Sequence, residues 1–166
     1  MPTEKELDQA LETALREDAT FRQWFVDKTK FKGISPTCVW SRSDNPWCRV
    51  ELELPNPHTG KTELVARDGE TDVLFVFQSE CGRRMALHIE NKLASGHFTP
   101  YQPEVYEARA RWWVGNTDYG NYLDWDTVLL APLSFLSRKG ALAQAQKFGT
   151  FIAHEEIAAY VPIFAH

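Results

Sequence analysis

The chain has 166 residues, 43% of them hydrophobic and 13% aromatic, with a formal net charge of −5. That is enough apolar material for one packed domain spanning 1–166, and it excludes a disordered or collagen-like chain. The acidic balance also excludes a bulk polycation, so any hold on phosphate needs a local basic patch or a metal ion.

The first element is a helix in "PTEKELDQALETALRED". Thr3 and Glu6 have capping-box spacing, and Leu7, Ala10, Leu11, Ala14 and Leu15 share one face. A second helix start is expected at Thr20 with Gln23, ahead of Phe21, Trp24 and Phe25. "GISPTCVWSRSDNPWC" is broken by Gly33, Pro36 and Pro46 and reads as an irregular connection. "RVELEL" alternates strictly, as a half-buried strand does. "PNPHTGK" turns the chain, "TELVAR" returns as a strand, and Asp68–Gly69 ends it.

"TDVLFVF" is a continuous apolar run, expected of a strand covered on both faces. "SECG" is a turn, and "RRMALHIENK" alternates again. A helix follows in "TPYQPEVYEARARWWVG", with Pro103 in its first turn. "DTVLLAPLSFLS" reads as a strand, "RKGALAQAQKFG" as a helix, "TFIAH" as a short strand and "EEIAAYV" as a last short helix. The order gives a mixed α/β (α+β) domain whose sheet is built first by hairpins.

The N-terminal "MPTEKELDQA" has no apolar signal segment, and no apolar run is long enough for a membrane helix. The expected location is the cytoplasm, with no membrane partner. Cys38, Cys48 and Cys81 are odd in number and widely spaced, as isolated thiols in a reducing compartment would be. "HTGKT" at 58–62 is not a phosphate loop: the first glycine of that motif would fall at Pro55, and the preceding segment is a hairpin strand. No GxSxG motif is present.

The stretch "ETDVLFVFQSECGRRMALHIENK" carries the chemistry. A turn centred near Cys81 sets Asp72 opposite Glu90 in an antiparallel pair. Glu90 and Lys92 share a face. Two carboxylates and an ammonium therefore meet at one end of an apolar hairpin. One reading is a strand-end salt bridge. The other is a site for a divalent cation: Mg²⁺ takes oxygen ligands and keeps several waters, so two carboxylates and a backbone carbonyl suffice. Such a site suits hydrolysis of a phosphodiester.

With these residues the chain resembles the PD-(D/E)XK nuclease superfamily. That family's signature is an acid on one strand and E-x-K or D-x-K on the next, matched by Asp72 and "ENK" at Glu90–Lys92. Its RecB-like branch adds Q-x-x-x-Y on the following helix, matched by Gln102 and Tyr106 in "QPEVY". The resemblance covers roughly residues 48–135 and departs from the eponymous pattern in having Thr71, not proline, before Asp72. It implies a restriction-endonuclease-like core of helix, three antiparallel strands, helix and strand. It also implies that Asp72, Glu90 and the Asn91 carbonyl hold Mg²⁺, with Mn²⁺ able to substitute. Lys92 is then the catalytic lysine, with Gln102 and Tyr106 supporting the site or the substrate backbone.

The implied activity is a metal-dependent deoxyribonuclease, and nothing in the sequence excludes RNA as substrate. The alternative is a catalytically inactive nuclease-fold protein that binds nucleic acid or a partner protein. A chain this short has little room for a sequence-reading module, which points to a homodimer or to action on ends, structures or nonspecific DNA.

Other residues carry two readings each. Many family members place a further acid on the first helix, and Glu12 and Glu17 are candidates against a plain solvated face. Glu70 is a supporting group or a strand-end charge. Arg109, on the side of Tyr106, touches substrate or is structural. Trp112 and Trp113 are a buried face or a base-stacking pair. Lys28, Lys30 and Lys32 are a basic patch or a solvated loop. Arg83 and Arg84 belong to the far end of the hairpin. His88 shares the face of Glu90 and is a satisfied sheet histidine or a ligand.

Overall fold

The computed structural model describes residues 1–165; His166 lies outside them. Helix α1 (Glu4–Glu17) starts as its capping box dictates, with the Thr3 hydroxyl accepting the Glu6 N–H and the Glu6 carboxylate accepting the Thr3 N–H. Leu7, Leu11 and Leu15 on its inner face are fully buried. Helix α2 (Ala19–Asp27) starts at Asp18 rather than Thr20. The Asp18 carboxylate accepts the Thr20 and Phe21 N–H groups at 2.9 and 3.0 Å, and so satisfies two amides that a helix start leaves without partners.

A five-stranded mixed sheet runs in the order β1-β4-β5-β6-β7. Strands β1 (Thr37–Arg42), β4 (Val73–Gln78) and β5 (Arg84–Asn91) are antiparallel neighbours. Strands β6 (Asp124–Ala131) and β7 (Thr150–Ala153) continue the sheet in parallel with β5. Strands β2 (Trp47–Pro55) and β3 (Thr62–Glu70) form a separate antiparallel hairpin. Its inner face, Val50 and Leu52 flanked by Cys48 and Leu54, packs on Val105 and Ala108 of helix α3 (Gln102–Trp112).

Central β4 is buried on both faces, as its unbroken apolar run requires. Val73, Phe75 and Phe77 join Met85, Leu87 and Ile89 of β5 against α1 and α2. Leu74 and Val76 pack with Ala86, Trp113 and Tyr122 on the other face. Burying side chains of this size contributes about 1.5–3 kcal/mol each.

Several further expectations are corrected. The stretch read as irregular contains β1, an edge strand whose bulge between Cys38 and Trp40 breaks the alternation. The hairpin of "RVELEL" and "TELVAR" is not part of the main sheet. Strand β3 does not stop at Asp68–Gly69 but runs to Glu70. Strand β6 ends at Ala131, where Pro132 turns the chain into the short helix α4 (Leu133–Leu136). The remaining helices are short: α5 is Ala141–Ala145, and α6, His154–Ile157, begins earlier than expected. Among the described residues no helix is long and apolar enough to cross a membrane.

Candidate active site

The β4–β5 register is the expected one. Val73 faces Ile89 and Leu74 faces His88, so Asp72, just before β4, comes opposite Glu90. The Asp72 carboxylate accepts the Asn91 N–H at 2.8 Å and the Asn45 side-chain amide at 3.2 Å. Glu90 is 2% exposed. One of its oxygens accepts from Lys92 Nζ and from Gln102 Nε2 at 2.7 Å, and the other accepts from the Tyr106 hydroxyl. The same hydroxyl accepts the Asp72 N–H at 3.2 Å. The fold thus brings Asp72, Glu90, Lys92, Gln102 and Tyr106 together around one cleft of about 540 Å³.

The electrostatics of the cleft are strained. Burial, then the charges of Glu90 and Asp8, push the Asp72 carboxyl well above the usual carboxylate range. Burial and the Asp72 and Glu90 charges hold the Tyr106 phenol well above its ordinary value, so it stays a donor. Five carboxylates (Glu4, Asp68, Glu70, Asp72, Glu90) line the cleft against three cations (Arg67, Lys92, Arg109). A polyanion entering such a space needs a further positive charge.

Oxygen donors under mutual repulsion are the environment Mg²⁺ favours. Among the described residues no group of three or more His, Cys, Asp or Glu side chains is gathered to hold a metal ion. What the protein could offer such an ion is the pair of carboxylates of Asp72 and Glu90. The Asn91 side chain is not part of that offer. It points to the opposite side of the sheet, donating to Asp8 Oδ1 at 2.9 Å and accepting from His154 Nε2 at 2.8 Å.

Arg109 is fully buried behind the cleft. Its Nε donates to Thr71 Oγ1 at 2.9 Å and its Nη2 to the Glu70 carbonyl, while the guanidinium lies 4.5 Å from the Tyr106 ring centroid. Its Nη1 has no hydrogen-bond partner among the described residues. His88 is also fully buried, and burial and the Arg109 charge push it well below its ordinary value. The donors order themselves around it. Thr71 Oγ1 accepts a hydrogen bond from Arg109 Nε and donates one to His88 Nδ1; His88 Nε2–H donates to Tyr122 Oη, which donates to the Ala110 carbonyl. His88 is thus a satisfied sheet histidine, and this chain fixes Thr71 immediately before Asp72.

The other candidates separate. Glu12 accepts from Ser41 Oγ at 2.8 Å on β1, and Glu17 lines a groove at the α1–α2 junction, so neither reaches the cleft. The acids that α1 does bring are Glu4, at the cleft wall, and Asp8, buried behind Asn91. Glu4 and Asp8 are four residues apart, a readable signal that they share a face. Asn45 gave no sequence signal. Glu70 is exposed at the cleft rim. Trp113 is 2% exposed and Trp112 74%, so the pair splits between core and solvent. Lys28 and Lys30 are ion-paired with Glu156 and Asp124, and Arg83 also pairs with Asp124, all away from the cleft. Exposed Trp47 and half-buried Arg67 stand on the hairpin side of the cleft mouth.

Comparison with protein-family models, with curated proteins and with solved structures found no match.

Proposed function

We propose that the protein is a Mg²⁺-dependent phosphodiester hydrolase of the restriction-endonuclease-like class, acting on DNA. The observation that carries this reading is the meeting of Asp72, Glu90 and Lys92 with Gln102 and Tyr106 in one cleft. A bound Mg²⁺ would supply polarisation of a phosphoryl oxygen and an activated water. Asp72 and Glu90 would hold it, with the Asn91 carbonyl. Lys92 would orient the attacking water and offset charge on the phosphate. Gln102 and Tyr106 hold Glu90 by one oxygen each, which fixes the direction of its remaining lone pairs. A homodimer would supply two such sites for double-strand cutting.

Thermal unfolding with and without Mg²⁺ tests the reading. Ion bound to the folded state alone stabilises it, by about 2.7 kcal/mol at a hundredfold excess over Kd. The proposal expects a Mg²⁺-dependent rise in Tm that Asp72→Asn abolishes. Equal melting with Mg²⁺ and with EDTA would favour a plain salt bridge between Glu90 and Lys92.

A further inference from the structure

Beside the cleft lies a second, smaller cavity of about 290 Å³, and its lining has the opposite character. It carries His97, Arg138 and Lys139 and no carboxylate. The two cavities share a wall. The ring of Phe98 lines the smaller one and lies 5.8 Å from the Nζ of Lys92, which lines the cleft. A Cβ on Gly96 would sit 3.3 Å from the Lys92 stem, so the Gly96–Phe98 segment is packed directly on the catalytic lysine.

The basic groove is built, not incidental. Arg138 Nη1 donates to the carbonyls of Ala94 and Gly96, which ties the loop after α4 to the loop after β5. Phe98 and Phe135 pack edge-to-face at 5.3 Å beneath it. Among the described residues neither Arg138 nor Lys139 is in an ion pair, and no carboxylate lines the groove beside them. Exposed cations left without acids, next to a cleft crowded with acids, leave positive charge where a polyanion leaving the cleft would pass.

We infer that the groove of His97, Arg138 and Lys139 holds the phosphodiester backbone of the strand that continues from the cleft. This rests on the nuclease reading and sharpens it. The substrate is a polynucleotide running past Lys92 for several nucleotides, rather than a mononucleotide or a small phosphodiester. Phosphate contacts of this kind position a strand without reading its sequence.

The test uses fluorescently labelled oligodeoxynucleotides, one of four nucleotides and one of sixteen, single-stranded and duplex. Binding is measured across a salt series with Ca²⁺ in place of Mg²⁺. Arg138→Gln with Lys139→Gln removes two phosphate contacts. The slope of log K against log salt for the long strand should then fall by about 1.4 for single strands or 1.8 for duplex. Affinity for the long strand should drop, and its advantage over the short one should shrink. Lys32→Gln with Lys61→Gln removes the same charge from surfaces outside both cavities and should leave the slope alone. If wild type binds and cuts DNA with metal but the Arg138/Lys139 variant keeps the wild-type slope, the groove assignment falls and the nuclease reading stands. If wild type neither binds nor cuts any of these strands, both fall together.

Discussion

Asp72 and Glu90 are joined through one oxygen atom. The Tyr106 hydroxyl accepts the Asp72 backbone N–H and donates to the Glu90 carboxylate. It therefore fixes the spacing of the two acids and the direction of one of them. Tyr106→Phe would leave a buried carboxylate oxygen and a backbone amide without that partner. We expect a loss of about 1–3 kcal/mol in denaturant unfolding. Metal affinity should fall with it, because Glu90 would be held by Lys92 and Gln102 alone.

Lys92 is 12% exposed and Glu90 3% on a side-chain basis, so theirs is a buried pair. Removing one member of such a pair costs about 3–5 kcal/mol when nothing else meets the orphaned charge. Gln102 and Tyr106 still donate to Glu90, so Lys92→Ala should destabilise by less. Calorimetry without metal checks this. Mg²⁺ should restore part of the loss by replacing the missing positive charge.

Gly69 is required by what lies against it. A Cβ there would come within 2.5 Å of Val105 Cγ1 and 2.7 Å of Arg109 Nη1. Both are buried, so neither can retreat into solvent. Gly69→Ala should cost about 1–3 kcal/mol by overpacking, measured by urea unfolding. It should also disturb the contacts of Arg109 with Glu70 and Thr71, and hence the approach to Asp72.

Asp8 gives a pH signature. Burial raises its carboxyl from 3.8 to about 6, with the Asn91 hydrogen bond working against the shift. Between those values the folded chain holds a proton that the unfolded chain has lost. Its contribution to stability therefore falls as pH rises through that window, and a cost of about 3 kcal/mol is fully present above it. Asp72, also raised, works in the same direction, and His88, buried and neutral, works the other way below its unfolded pKa, so a single pH curve mixes all three. The difference between Asp8→Asn and wild type reports Asp8 together with its repulsion of Asp72. It should be near zero at pH 4 and favour the variant at pH 7. A difference that does not change with pH would contradict the assignment.

The register that faces Asp72 with Glu90 was legible because a tight turn leaves few pairings for the two strands it joins. The capping box of α1 was legible because its two hydrogen bonds are local. Strand β1 was not, because its partner is remote and its bulge breaks the period. The place of Asp8 and Asn45 near Asp72 was not either: each is brought in by a long-range hydrogen bond, to Asn91 and to Asp72. Glu12 and Glu17 were natural choices on α1, but the contact of Glu12 with Ser41 and the end position of Glu17 take both away from the cleft.

The most direct measurement is cleavage of linear, circular and single-stranded DNA in Mg²⁺, Mn²⁺ or EDTA by wild type and Lys92→Ala. The account predicts cutting that requires metal and falls by about 10²-fold or more in the variant. Folded, metal-bound wild type that leaves every one of these substrates intact, or a Lys92→Ala variant that cuts as well as wild type, would contradict it.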